Sequence, residues 1–204
     1  MRTHIVKLLT HPDHAWVDIR TEEDQQPRHY LPHLLLWALL PSVCLYIGVT
    51  WFGWSLAGEE RVRLSPVSAL QLSVLLYLTT LIGTLLMGGF IRWMSRAFEA
   101  RPTLNQCIGF AAYTATPYFM AGVTGLYPSR WLAVAALIVA GAYATYLLFV
   151  GLPKFMRLTQ DRGFLYAASV WGVGVLVLVT ILVSMILFWL NGLTPEYMRP
   201  LTVP

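Results

Sequence analysis

Five long stretches of this chain contain no Asp, Glu, Lys or Arg, and they constrain the fold more than any other feature. Each stretch is 23 to 33 residues long, and a helix needs about 20 mostly apolar residues to cross the hydrocarbon of a bilayer. Composition agrees, because 57% of residues are hydrophobic and 12% are charged, against about a quarter charged in soluble domains. The sequence predicts an integral membrane protein, with charge-free stretches at 29–58, 64–91, 102–129, 131–153 and 163–195.

The predicted fold is all-α, with five transmembrane helices behind a short polar head. The head is residues 1–30, the membrane domain is 31–195, and a short external tail is 196–204. The fourth helix is expected to stop at Gly151-Leu152-Pro153, because glycine and proline disfavour helix continuation. The expected spans are about 34–54, 67–91, 104–126, 131–150 and 166–190.

The distribution of basic residues predicts the orientation. With five spans, ten Lys and Arg residues fall on the side of the N-terminus and four on the other side. Cytoplasmic loops carry the excess of Lys and Arg, so the N-terminus is predicted to be cytoplasmic and the C-terminus to lie outside. The basic residues lie at span ends and form no run, which argues against nucleic acid as a partner.

The head is expected to lie at the membrane surface. Trp16 is predicted to anchor it there, and the acid-rich stretch 22–24 is predicted to be a solvated hinge. Apolar residues at helical spacing predict a short amphipathic helix in the headgroup plane, ending near Pro12: Ile5, Leu8 and Leu9.

No pattern in the chain indicates catalysis, so a non-enzymatic protein without a cofactor is predicted. G-x-S-x-G, Walker A, H-E-x-x-H and C-x-x-C motifs are absent. No charged residue lies deep in a predicted span, which argues against an ion-coupled pump. All five histidines precede the first span, but their spacing matches no closed metal site. Cys44 and Cys107 are expected to remain unpaired.

The third predicted span is the most polar, and it cannot face lipid on all sides. Two interpretations are open. One is a packed helix kinked at its proline, whose freed carbonyl is capped by hydroxyls. The other is a polar cavity or lipid-contact groove lined by these residues: Asn105, Gln106, Tyr113, Thr114, Thr116, Pro117 and Tyr118.

Glycines and basic residues mark further contacts. Small residues let transmembrane helices approach closely, and this predicts helix contacts at Gly83, Gly88, Gly172 and Gly174. Basic residues at the ends of the spans are predicted to anchor the topology, with anionic lipid binding as an additional role. They are Arg92, Arg96, Arg101, Lys154, Arg157 and Arg162.

Several motifs occur together around the five predicted spans. They are Leu8-Leu9-x-x-Pro12 followed by Trp16, Tyr113-x-x-x-Pro117, and Tyr146-x-x-x-x-Gly151-Leu152-Pro153. Their order resembles that of the Yip (Ypt/Rab-interacting protein) domain family, in its compact bacterial inner-membrane branch. That resemblance implies a multi-pass protein of the bacterial inner membrane, with a periplasmic C-terminus, that is concerned with membrane organisation. The Asp-Leu-Tyr-Gly-Pro signature of eukaryotic members is absent, and His29-Tyr30-Leu31-Pro32 is its nearest counterpart.

The leading functional hypothesis is a role in membrane organisation through contacts with lipids, a membrane protein partner or a second copy of the chain. The polar third span and the absence of buried charge motivate it. The alternative is a small-solute or lipid transporter or channel that uses a cavity around the third span.

Overall fold

The computed structural model describes residues 7–8, 10–26, 28–53, 63–127, 129–192 and 197–198. The described chain is predominantly helical, and its elements in chain order are α1 (Pro12–Gln25), α2 (Tyr30–Ile47, continued by a π-helical turn Gly48–Phe52), β1 (Arg63–Leu64), α3 (Pro66–Met94), α4 (Leu104–Thr114), α5 (Thr116–Ala121), a 3-10 turn (Gly122–Leu126), α6 (Arg130–Met156), α7 (Gln160–Gly192) and β2 (Tyr197–Met198).

Among the residues that the structure describes, four helices are long and apolar enough to cross a membrane, which supports the all-α membrane fold. They are α2 with its π-helical turn, α3, α6 from Trp131 onward, and α7 up to Asn191. The third predicted span, 104–126, is not one continuous helix. It consists of α4, α5 and the 3-10 turn, which together are called the broken segment.

The sequence explains both the start and the interruption of the broken segment. Thr103 and Gln106 form a reciprocal capping box that begins α4. Pro117 has no N–H to donate to the carbonyl of Tyr113, and its ring crowds that carbonyl. The α-helical hydrogen bonding is consequently interrupted at Ala115, and α5 begins at the next residue.

The broken segment runs parallel to α2 along nearly its whole length. Near the start of both, the Tyr30 hydroxyl donates to Asn105 Oδ1 at 3.5 Å. Further along, a Cβ added at Gly122 would lie 2.7 Å from Pro41 Cα, and one at Gly48 would overlap the Gly125 carbonyl oxygen. The two backbones therefore touch, and the broken segment covers about the same depth as α2.

Helix α1 docks on one end of the bundle, here called the head side, and this corrects two expectations. Trp16 is fully buried rather than anchored at the membrane surface. Its ring lies 4.6 Å from the Phe110 ring and 5.9 Å from the Phe155 ring, and a Cβ at Gly151 would overlap its indole. Of the three residues predicted to form a short amphipathic helix, Ile5 and Leu9 lie outside the described residues, and Leu8 is buried rather than placed in the headgroup plane.

The acid-rich stretch 22–24 is not a solvated hinge, because it belongs to α1 and meets the bundle. Glu23 is only 3% exposed. Asp24 accepts hydrogen bonds from Gln106 Nε2 at 2.6 Å and from Arg157 Nη2 at 2.9 Å. A Lys154–Asp13 ion pair adds a further link between α6 and the head. Head acids therefore neutralise part of the basic group at the ends of the spans.

The predicted stop at Gly151-Leu152-Pro153 is also wrong, since α6 continues to Met156. Its actual end is Arg157, which adopts the left-handed conformation with φ 56°. Gly151 has a packing role instead, because the absence of a side chain admits Trp16. At the opposite end of the bundle, the far side, β1 and β2 pair antiparallel with Arg63 opposite Met198.

Candidate functional site

The seven residues of the third span that were predicted to line a polar cavity or lipid-contact groove lie in three different environments. Asn105 and Gln106 lie at the head side, against α1 and the start of α2. Tyr113, Thr116 and Pro117 are buried, and the first two contact α2. Thr114 and Tyr118 line a cavity among the helices.

The environment on the α2 side centres on His33, which has no exposed surface. Its ring stacks on Tyr113 with centroids 4.4 Å apart. Its Nε2 lies 3.0 Å from the Thr116 hydroxyl. This stack joins α2 to both sides of the break at Ala115, so it fixes the geometry of the broken segment and leaves no open space there.

The environment at the head side holds a buried carboxyl group. Both carboxyl oxygens of Glu23 lack a hydrogen-bond partner among the described residues. Its carboxyl lies so close to Gly109 that a Cβ there would be 3.4 Å from it. Burial raises the pKa of Glu23 to about 7, although the backbone N–H groups of Arg28 and Tyr30 lie near enough to oppose that shift.

A cavity of about 440 Å³ lies among the long helices. All four long helices and the broken segment contribute to it. Its volume is in the range of roughly 300–1,000 Å³ that is typical of small-molecule sites. Its walls include Pro41, Leu45, Leu76, Thr80, Gly83, Thr84, Met87, Ile91, Phe110, Ala111, Thr114, Ala115, Tyr118, Phe119, Leu137, Ala144, Thr145, Leu148, Trp171, Gly174, Val175, Leu178, Ile181 and Leu182.

The cavity wall contains no charged residue and few available polar groups. The hydroxyls of Thr80, Thr84 and Thr145 donate to carbonyls of their own helices. The Thr114 hydroxyl is the exception, since it is buried without a described hydrogen-bond partner. Such a lining cannot replace the hydration shell of an ion or a sugar, but it suits a hydrocarbon chain.

The wall that α7 contributes to the cavity is not fully enclosed. Val175, Leu178 and Leu182 line the cavity and are 37–47% exposed. Neighbouring α7 residues such as Leu176 and Val179 are exposed as well. The α7 side of the cavity therefore combines an apolar lining with accessible surface.

Two of the four predicted packing glycines lie at close contacts. A Cβ at Gly88 would lie 2.7 Å from Ile108 Cα in α4, and one at Gly83 would overlap Ile181 in α7. Gly174 has looser surroundings, with Met87 Cε 3.5 Å away. Gly172 departs from the expectation, because a Cβ there meets no atom within 4 Å. Its position on the outward face of α7 explains the difference.

The remaining candidate ligands form no cluster. Among the residues that the structure describes, no group of three or more His, Cys, Asp and Glu could hold a metal ion. Cys44 and Cys107 are buried and free. Sequence reasoning missed His33 and Glu23, since a histidine at a span boundary and an acid within an acidic stretch are both typical of exposed positions. The only sequence signal for their burial was the presence of small residues that pack against them, such as Gly109.

Together, the long apolar helices, the docked head and the broken segment define a helical integral membrane protein built around an internal cavity. Comparison with known proteins then gives the family. The Yip1 domain model matches residues 6–182, so the chain belongs to the Yip1 domain family.

Two curated relatives support this membership. Inner membrane protein YohC of Escherichia coli strain K12 is 37% identical over 190 residues, covering 93% of this chain and 97% of the relative. The protein of the same name from Escherichia coli O6:H1 strain CFT073 has the same identity and coverage. No solved structure matches the chain.

Proposed function

We propose that the protein is a non-enzymatic, multi-pass component of the bacterial inner membrane that organises its surroundings by holding membrane lipid in the cavity beside the broken segment. The cavity carries this proposal, because it is apolar, lacks charged groups and has a partly exposed wall on the α7 side. A lipid whose chain occupies it would become a stable part of the protein's boundary.

The proposal includes five membrane crossings, with the broken segment as the third. The parallel contacts with α2 support this, from Tyr30–Asn105 at one end to Gly48–Gly125 at the other. Broken helices are tolerated at membrane depth where they are buried in protein or line a cavity, and this segment does both. With five crossings, the excess of basic residues places the N-terminus and the head side in the cytoplasm and the C-terminus in the periplasm.

Native mass spectrometry of the gently extracted protein tests the cavity as a lipid site. Gly174→Leu places a side chain in the cavity at a position where only Met87 Cε lies nearby. Gly172→Leu is the matched control, because it makes the same substitution on the same helix in open space. We expect wild type and Gly172→Leu to retain lipid and Gly174→Leu to lose most of it.

Thermal melting of the two variants guards against a folding artefact, since both should melt within a few degrees of wild type. Equal lipid retention in the three proteins would refute the cavity as the binding site. A copurifying protein that remains bound equally in all three would instead indicate an organising role through protein contacts.

One observation favours the alternative of lipid transport. Discontinuous helices form the substrate sites of many transporters, and the broken segment is discontinuous at Ala115. Transport predicts that reconstituted protein moves fluorescent phospholipid between leaflets, measured by dithionite quenching. Lipid retention without such movement would support the organising role alone. The apolar lining disfavours a small polar solute.

A further inference from the structure

A second pocket lies at the head side, in the connection between α3 and α4. It has a volume of about 690 Å³ and is lined by Arg92, Arg96, Glu99, Ala100 and Arg101. Three of its five lining residues are therefore arginines. It is separate from the apolar cavity, which contains no charged residue.

The charges of this pocket are not balanced from within the described chain. Glu99 is its one acid, and Glu99 Oε2 already lies 2.6 Å from Arg162 Nη1. Arg92, Arg96 and Arg101 have no ion pair with a described acid, and only Arg92 has a described side-chain hydrogen bond, a long one of 3.5 Å to Ser95. The pocket consequently presents about three uncompensated positive charges.

A hydrogen-bonded turn follows Arg92 and contains Arg96, and Arg101 comes shortly after it. Ser95 is fully buried, and its hydroxyl donates to the Arg92 carbonyl at 2.7 Å. The backbone N–H groups of Phe98, Glu99 and Ala100 each donate to a carbonyl within the same turn. The Phe98 ring stacks on Tyr166 with centroids 4.8 Å apart, and the Tyr166 hydroxyl donates to the Ile91 carbonyl.

The residues at the start of the pocket are typical of a membrane–water boundary. It begins at Arg92, in the last turn of the apolar helix α3. Trp93, the next residue, is 64% exposed, and tryptophan side chains concentrate at the membrane–water interface. A guanidinium group can bind a phosphate through two parallel hydrogen bonds, so several arginines at this boundary suit a phosphate group.

We infer that the pocket of Arg92, Arg96 and Arg101 binds the phosphate of an anionic membrane phospholipid. This inference goes beyond the proposed function, because recognition of a headgroup here does not require an acyl chain in the cavity. The site selects lipid by charge, whereas the cavity accepts lipid by shape and apolarity.

Competition between two lipids with identical chains tests the inference. Purified protein is incubated with an equimolar mixture of phosphatidylglycerol and phosphatidylcholine, and the retained lipids are counted by native mass spectrometry. We expect Arg96→Gln/Arg101→Gln to reduce the preference for phosphatidylglycerol on the order of thirtyfold, at about fivefold for each arginine near the surface. Arg92 is left unchanged because its side chain is half-buried and its carbonyl accepts the hydrogen bond from Ser95 in the turn.

Arg28→Gln/Arg63→Gln is the matched control, since it removes two exposed charges elsewhere and should leave the preference unchanged. Arg96→Lys/Arg101→Lys keeps the charge and should retain most of the preference for phosphatidylglycerol. This variant separates loss of the site from loss of folding. Equal retention of both lipids by wild type, an equal loss in the control, or binding of inorganic phosphate as tight as that of phosphatidylglycerol would overturn the inference.

Discussion

The broken segment and α7 have opposite relations between apolarity and burial. In the broken segment, residues 106–113 are all buried although they include Gln106 and Tyr113. In α7, no residue of its most apolar 18-residue window is buried within the protein. In this fold, unbroken apolarity marks the surface that faces lipid, while small and polar residues mark the interior.

The physical reason is that lipid tails are as apolar as leucine, so hydrophobicity gives no advantage to contact between helices. Close backbone approach and hydrogen bonds decide the interior instead. The broken segment has both, through Gly122, Gly125 and the His33–Thr116 contact. The following substitutions test this contrast by changing neighbouring or equivalent residues on the two kinds of surface.

The largest effect is expected from Gly88→Leu. Its Cβ would lie 2.7 Å from Ile108 Cα and 2.9 Å from Ile108 N, so the backbones of α3 and α4 would have to separate. We expect a loss of more than about 3 kcal/mol and a sharply lower folded yield in detergent. Gly89→Leu is the control, because a Cβ at Gly89 meets nothing within 4 Å. Equal yields and melting temperatures would show that α3 does not pack on the broken segment in this way.

Trp16→Ala is expected to release the head from the broken segment. It removes a fully buried indole from between Phe110 and Phe155, and large-to-small changes of this kind cost about 3–5 kcal/mol. Limited proteolysis should cleave α1 much faster in this variant than in Val17→Ala, whose side chain is 53% exposed in the wild type. Unchanged protection of α1 would contradict the docked head.

Head docking is expected to weaken as the pH rises, because Glu23 must ionise in its buried position. Its pKa is about 7 when docked and 4.5 when exposed, so the docked state binds more protons between these values. Stability is full below about pH 4.5 and decreases until about pH 7, by on the order of 1–3 kcal/mol. Hydrogen exchange of α1 at pH 5.5 and pH 8 measures this decrease.

Glu23→Gln should abolish the dependence on pH, since the amide does not ionise. Glu22→Gln is the control and should keep the dependence on pH, because the Glu22 side chain is 38% exposed. If α1 of the wild type exchanges no faster at pH 8, after correction for the intrinsic exchange rate, then ionisation of Glu23 does not weaken head docking.

The smallest effect is expected from Thr116→Val. Thr116 is fully buried and contacts His33 Nε2 at 3.0 Å, so losing the hydroxyl should cost about 1–2 kcal/mol. Thr180→Val on α7 should cost much less, because Thr180 is exposed and bonds only to its own helix. Thermal melting compares the two. Equal losses would remove the contrast between interior and lipid-facing hydroxyls.

Much of the membrane architecture was predictable from the sequence, because long charge-free stretches have few alternatives to spanning helices. The family was predictable as well, from the spacing around Trp16, Pro117 and Gly151, and the comparisons confirm it. The division of the third span into α4 and α5 was predictable only in part. Pro117 indicated a kink, but the contacts of Tyr113 and Thr116 with His33 of α2, on the two sides of the break, could not be predicted from it.

The head was the main failure of sequence reasoning, because burial of Trp16 and Glu23 depends on partners more than 80 residues away. The local sequence pattern predicted that Trp16 is an interfacial anchor and that Glu23 is a solvated acid. The space that receives them is created by Gly151 and Gly109, whose roles appear only after folding. For the same reason the sequence named Thr114 and Tyr118 as cavity candidates without separating them from Tyr113 and Thr116.

Photocrosslinking with a phospholipid that carries a diazirine on its acyl chain is the most direct test of the cavity. The protein is extracted, washed to remove loosely bound lipid, irradiated, and mapped by mass spectrometry. We expect label on Thr114, Tyr118, Trp171 and Val175, all of which line the cavity, with loss of that label in Gly174→Leu. Label confined to outward positions such as Leu176 and Leu187, and unchanged in Gly174→Leu, would contradict a lipid held beside the broken segment.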